Sequence, residues 1–210
     1  MRVSLDDALN VSYMNDKKII CERIVPENLD LAIKIQRDVF PKENGALNLK
    51  ASADKSFIEH VYGKNYRKSV DFWICKDELG CPVGITGIYA YVEYPNDAWC
   101  GWFGILPEKQ GQGYGKRLFQ WTMAKAKEMG FINFRLYTDL EENNVAAELY
   151  RKVGIIEESY DEEDMGEEKI VIFSKSLAQE NTEKFGKKNL FLKKQAAIQE
   201  RAQQIYTKGL

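Results

Sequence analysis

The chain has 210 residues, 44% hydrophobic and 30% charged, the balance of one soluble globular domain with additions. Thirty Lys and Arg against 32 Asp and Glu leave a net charge of -2, so no overall positive field favours nucleic acid. No apolar run approaches the roughly 20 residues that cross a bilayer, and acids stand near the start where a signal peptide would be apolar, which together predict a cytoplasmic protein without a membrane partner.

Residues 1–18 are polar and lack a period, and are expected to form an arm. Ile19 to Val25 reads as a strand ended by Pro26. Leu31, Ala32, Ile35 and Val39 then recur at helical spacing until Pro41. Lys42 to Ala51 reads as a loop with a turn at Asn44-Gly45, and Ser52 is expected to cap a short helix carrying Phe57 and Val61. Asp71 to Lys76 and Val83 to Glu93 read as strands joined by the hairpin turn Asp77-Glu78-Leu79-Gly80. After the turn at Pro95-Asn96-Asp97, Ala98 to Leu106 reads as an aromatic-rich strand.

A loop from Pro107 to Gly113 leads into a helix from Tyr114 to Met129, with Leu118, Phe119, Thr122, Met123 and Ala126 on one face and Gly130 as its C-terminal cap. Ile132 to Thr138 reads as a strand, Asn143 to Val153 as a short helix, and Ile155 to Tyr160 and Lys169 to Ser174 as two antiparallel strands. This order predicts an α+β or mixed α/β fold around one central sheet. The stretch Glu157 to Glu168 holds eight acids and no base. Beyond Ala178 basic residues dominate, and Phe191, Ile198, Ala202 and Ile205 fall at helical spacing, which predicts an added amphipathic helix packed on the body.

The four cysteines, Cys21, Cys75, Cys81 and Cys100, form no C-x-x-C pair, and His60 is the only histidine. No metal site is expected, nor a disulfide framework, so the thiols are expected to be reduced. A Ser-His-Asp hydrolase would rest wholly on His60, set among Phe57, Ile58, Val61 and Tyr62, and is not favoured.

The most informative stretch joins the aromatic strand to the long helix: Gln110-Gly111-Gln112-Gly113-Tyr114-Gly115-Lys116-Arg117. Glycine lets the backbone turn tightly and approach a ligand without a Cβ in the way. Exposed N–H groups at the start of the helix then make an anion site, aided by Lys116 and Arg117. A Walker loop would need glycine at position 110 and Ser or Thr at position 117; a dinucleotide G-x-G-x-x-G would need glycine at position 116. Gln110-x-x-Gly113-x-Gly115 instead matches the Q/R-x-x-G-x-G/A signature of the GNAT superfamily of N-acetyltransferases, which the chain resembles from Ile19 to about Leu177. A second region, Asn143 to Ile155, resembles that family's N-x-x-A-x-x-L-Y-x-x-x-G-F segment, with Ile155 in place of the aromatic.

The resemblance implies a domain over residues 19–177, between the arm (1–18) and a C-terminal extension (178–210), with a twisted, mostly antiparallel sheet flanked by helices. It implies that acetyl-CoA lies where the two parallel strands, Ala98 to Leu106 and Ile132 to Thr138, splay apart. Phe103, Gly104, Ile105 and Leu106 would meet the pantetheine arm, with Gly104 as the bulge residue; the diphosphate would sit on Gln110, Gly111, Gln112, Gly113, Tyr114, Gly115 and Lys116; Asn143 would add a polar contact. The family needs no metal.

An amine of pKa about 10.4 is almost wholly protonated at neutral pH, so a carboxylate, directly or through water, should take its proton. Glu93 is the candidate, with Asp97 behind it, against the plainer role of a turn carboxylate. Tyr150 matches the family's general acid, against simple packing; Cys100 as a covalent nucleophile is less favoured than a buried thiol. The chain is thus expected to acetylate a primary amine, of a small molecule before a protein lysine or N-terminus. The acidic stretch would suit a cationic acceptor, a second copy of the chain is a candidate partner, and a CoA-binding module without turnover is the reading from another class.

Overall fold

The period-2 runs of the sequence become strands and the period-3.6 runs become helices: β1 (Ile20–Arg23), α1 (Leu29–Val39), α2 (Ala46–Ala53), α3 (Lys55–Tyr62), β2 (Arg67–Lys76), β3 (Pro82–Tyr91), β4 (Asp97–Ile105), α4 (Tyr114–Glu128), β5 (Asn133–Asp139), α5 (Asn144–Lys152), β6 (Ile156–Ser159) and β7 (Ile170–Ser176). The computed structural model describes residues 18–139, 144–153, 155–159, 170–179, 181–186, 194, 197–198, 200–202 and 204–205. Residues 1–17 of the expected arm, Asn143 and residues 160–168 of the acidic stretch lie outside this set.

One seven-stranded sheet has the order β1-β2-β3-β4-β5-β7-β6. Its pairs are antiparallel except β4 with β5, which run parallel. The sheet divides the core into two layers. Under α1, α2 and α3 lie Phe72, Ile74, Ile85, Tyr89, Tyr91 and Trp99; under α4 and α5 lie Ile88, Phe119, Phe134, Leu136, Tyr150 and Phe173. The β2–β3 hairpin closes as its turn residues dictate, with Asp77 Oδ1 accepting from the Leu79 and Cys81 N–H groups and Gly80 at φ 79.

Three local expectations are corrected. A helix, α2, occupies the second half of the expected loop. Its Ala46, Leu47, Leu49 and Ala51 are buried on several sides at once, so they show no single apolar stripe. Ser52 does not cap the next helix. Asp54 does, accepting from the Ser56 N–H at 2.9 Å, while the buried Ser52 Oγ accepts from the Phe72 N–H at 2.7 Å. Finally, Cys21 and Cys75 stand directly opposite each other across the β1–β2 ladder and form a disulfide, a pairing that 54 residues of separation conceal; Cys81 and Cys100 are free.

The segment after β7 returns over the layer beneath α1–α3. Phe185 meets the rings of Trp99 and Tyr94 edge-on at 5.2 and 5.0 Å, and the Gly186 N–H donates to the buried Glu158 carboxylate. The described residues between 194 and 205 are helical, with Ile198 and Ala202 packed against the same layer. Among the described residues no helix is long and apolar enough to cross a membrane.

Candidate active site

The site begins where two strands stop pairing. β4 and β5 share the register Asp97↔Asn133, Ala98↔Phe134 and Trp99↔Arg135 and then part, although β4 continues to Ile105 and β5 to Asp139. On its other side β4 stays with β3, but with an irregularity. Gly101 faces Gly87 and Gly104 faces Ile85, so Trp102 and Phe103 together oppose Thr86. That is a bulge, which bends the strand and increases its twist.

Trp102 takes φ 46, a conformation that costs a side-chain-bearing residue about 1–2 kcal/mol. Its ring is held edge-on to Phe40 at 5.2 Å and lies where a Cβ on Gly45 would come within 2.8 Å. The strain is thus fixed by packing at the point where the strands open. The bulge is therefore at Trp102–Phe103 and not at Gly104. Gly104 is back in register, and what its missing Cβ admits is the side chains of Val39, at 2.3 Å, and Phe40, at 2.8 Å.

The glycine loop lies at the open end of β4. Gly111 and Gly113 have φ 69 and 85, in the left-handed region, and nothing lies within 4 Å of the Cβ that either lacks. Both are glycine for the turn itself. Gly113 is the N-cap of α4 and makes no side-chain cap hydrogen bond to the start of that helix. Gln110 Nε2 donates to the Ile105 carbonyl at 3.1 Å and ties the loop back to β4, while Gln112 Nε2 donates to Glu108 O at 3.0 Å. Tyr114 is buried and anchors the helix; Gly115 has only Ile105 Cγ1, at 3.9 Å, beside its open face. Lys116 and Arg117 put two cations in a first turn that the helix dipole already makes positive, a field that favours an anion there.

Tyr150, on α5, is 5% exposed and packs against Phe119 at 4.8 Å, Phe173 at 5.2 Å and the bulge residue Phe103 at 6.3 Å. Burial, and then the neighbouring Cys100, hold its phenol well above the ordinary tyrosine value, so it stays protonated. Cys100 itself is buried, and its thiol is pushed up to about 12 by burial despite a hydrogen bond with Thr86. Burial thus disfavours a thiolate there, which weighs against a covalent route. Phe103 and Ile105 lie in the same layer as Tyr150, and Leu106, at the end of β4, in the opposite one.

Glu93 is not brought there. It lies in the β3–β4 turn, at the opposite end of β4 from the bulge. Five residues separate Asp97 from Trp102, or about 16 Å of strand. The Glu93 carboxylate is half exposed, pairs with Lys194 at 2.9 Å and accepts from the Tyr94 hydroxyl at 3.1 Å. Asp97 is buried and committed: it accepts from Arg135 Nε and Asn133 Nδ2, each at 2.7 Å.

Sequence reasoning missed the polar aromatic box beneath α3. A shift in the β2–β3 register between Arg67 and Ser69 makes Lys68 an extra residue and turns Arg67 onto the face of Tyr89 and Tyr91. Its guanidinium stands 3.9 Å from the Tyr89 ring centroid, 4.3 Å from Tyr91, 5.4 Å from Tyr62 and 5.5 Å from Tyr66. It is 5% exposed and makes no ion pair among the described residues. The Tyr89 ring passes over Gly101, where a Cβ would come within 2.9 Å of it, and its hydroxyl is in polar contact with Tyr137 on β5. Only the alternation of tyrosines at positions 89 and 91 hinted at this, and nothing in it pointed to Arg67.

Together these features make an open sheet with a splayed parallel pair, a bulged strand and a glycine-turned helix start. The family model described as Acetyltransferase (GNAT) family matches residues 34–155, more than half of the chain, and the protein belongs to that family of acyltransferase enzymes. Among solved structures, the chain is similar to a GNAT-family protein from Desulfovibrio desulfuricans (14% identity, TM-score 0.60, covering 77% of this chain and 100% of that one). It is also similar to spermidine N-acetyltransferase from Vibrio cholerae, solved with CoA and spermine (15%, TM-score 0.56, 75% and 95%), and to the ribosomal-protein-S18-alanine N-acetyltransferase of Escherichia coli (14%, TM-score 0.53, 78% and 97%). At such identities these likenesses concern the fold alone. Among curated proteins none matches the chain.

Proposed function

We propose that the protein transfers the acetyl group of acetyl-CoA to a primary amine of a small molecule. The observation that carries this reading is the end of β4–β5 pairing at Trp99↔Arg135, beside a glycine loop that opens the helix α4 with glycine at its N-cap. Beyond Trp99 the β4 edge facing β5 has lost its ladder partner, and its backbone groups suit the amides of a pantetheine arm. The diphosphate lies on the N–H groups from Gly111 to Lys116, with Phe103, Ile105 and Leu106 along the arm. Asn143 is the further polar contact at that site.

The acceptor nitrogen, once neutral, attacks the thioester carbonyl; the tetrahedral intermediate collapses with cleavage of the C–S bond, and the Tyr150 hydroxyl donates its proton to the departing sulfur. Support for that role comes from the packing of Tyr150 against the bulge residue Phe103 and from a phenol that carries its proton at neutral pH. The ammonium proton leaves to water in the cleft before attack, since Glu93 lies at the wrong end of β4, and the second proton that the nitrogen loses as the amide forms returns through water to the Tyr150 oxygen.

A small acceptor is favoured over a peptide. Glu93 and the buried Tyr150 lie towards opposite ends of β4, and the segment carrying Phe185, Ile198 and Ala202 lies over the layer beneath α1–α3. Calorimetry with CoA, followed by thiol release from acetyl-CoA over a panel of amines, tests the reading. Micromolar CoA binding with amine-dependent thiol release is expected, and the absence of CoA binding refutes it. Binding without release over the whole panel would favour a CoA-sensing module.

A further inference from the structure

We propose that Arg67 is the specificity determinant for the acceptor, binding an oxyanion at the far end of a small amine from the nitrogen that is acetylated. This rests on the acetyl-transfer reading above and adds the substrate class. The starting observation is an incomplete arrangement. A guanidinium is always charged and brings five N–H donors. Arg67 holds it inside the protein, and its Nε and Nη1 have no hydrogen-bond partner among the described residues. Buried charges are ordinarily paired.

The tyrosine rings attract the cation through their faces, and the Tyr89 hydroxyl is in polar contact with the guanidinium, but Nε and Nη1 are left without an acceptor. Nor do the nearest acids. The cavity of ≈ 470 Å³ between α3 and the edge of β2 contains Glu59 and Asp71, but Glu59 pairs with Lys64 at 3.1 Å and Asp71 with both Lys55 and Arg23. A planar fork in a box of four aromatic rings, without an anion of its own, is the form of a carboxylate or phosphate receptor.

Its position relates it to the transfer site. Tyr89 touches the guanidinium on one side and lies over Gly101 on the other, one residue before the bulge at Trp102, and its hydroxyl contacts Tyr137, two residues past the last β4–β5 pair. Two contacts of about 4 Å and one ring separate the anion position from the bulge, on the order of 10 Å. An α-amino acid, with carboxylate and amine on one carbon, is too short to span this. An amine with its anion at the other end of a short chain fits. The charge on Arg67 also selects against polyamines, which would bring a cation to it.

Hexylamine and 6-aminohexanoate differ in the terminal carboxylate and are compared as acceptors in the thiol-release assay. A kcat/KM higher by about 10- to 100-fold is expected for the amino acid, the range of a charge-assisted hydrogen bond, and the advantage should collapse in Arg67→Met. Equal values for the two amines in the unaltered protein overturn the proposal. A purely structural guanidinium would instead lower the melting temperature of Arg67→Met and leave the carboxylate preference intact, which also overturns it. Should Arg67→Met fail to fold, Arg67→Lys keeps the charge without the fork and should lose most of the advantage.

Melting without CoA separates this proposal from the transfer reading. Hexanoate and 6-aminohexanoate should raise the melting temperature and hexylamine should not, and the rise should vanish in Arg67→Met. A rise in a protein that releases no thiol with any amine would sink the acetyl-transfer reading and leave the anion site standing. No rise with either carboxylate overturns the anion site, whatever the turnover.

Discussion

At its first three residues β4 is locked to β5: the ladder is intact and Asp97 holds both Arg135 and Asn133, with Arg135 Nη1 also donating to Ser174 Oγ on β7 at 2.7 Å. Six further residues of the same strand have no β5 partner, carry a bulge and a tryptophan at φ 46, and end at a loop of glycines. One strand is thus a clamp at one end and an opening at the other. The clamp sets the angle at which the strands diverge, and the bulge prevents them from closing again. A buried ion pair marks the locked end, and β4 backbone without a β5 partner marks the open end.

The largest expected effect breaks the clamp. Asp97→Ala leaves the Arg135 charge buried without its partner and should cost about 3–5 kcal/mol of stability, read by urea unfolding. A loss below about 1 kcal/mol would mean that the clamp is only a surface-type pair. Next, Tyr150→Phe at the open end should lower kcat by about 100-fold or more while CoA affinity in calorimetry stays within about twofold. Unchanged kcat when chemistry limits the rate would leave Tyr150 a packing residue.

Gly113→Ala should follow, losing about 1–2 kcal/mol of stability because alanine is strained at φ 85, and weakening CoA as the loop N–H groups turn away. Loss of stability with unchanged CoA affinity would separate the loop from the diphosphate. The smallest effect belongs to Glu93→Gln, which removes an exposed ion pair worth about 0–1 kcal/mol and should leave kcat/KM within about twofold. A hundredfold loss would return Glu93 to the chemistry and refute the separation of the two ends.

Legibility followed the range of the interactions. The hairpin at Asp77–Gly80, the loop from Gln110 to Gly115 and the cap at Gly130 were readable because a turn is written in consecutive residues. The bulge was misplaced to Gly104 because a bulge is a property of two strands, and Trp102 gives no sign in sequence of taking a glycine's conformation. The segment from Ala46 to Ala53 was read as loop because residues buried on several sides lose the single stripe that marks a helix. Glu93 was favoured as base by its nearness in sequence to β4, which hides that it is nearest to the wrong end.

By itself the amino-acid sequence determined the alternation of helices and strands, the glycine turn before α4 and the family, since each rests on neighbours a few residues apart. Pairing of Cys21 with Cys75, entry of Arg67 into the tyrosine box past the extra residue Lys68, and passage of the Tyr89 ring over Gly101 were decided only by the tertiary structure. Each depends on the register between strands, and a one-residue shift in register moves a side chain from one face of the sheet to the other.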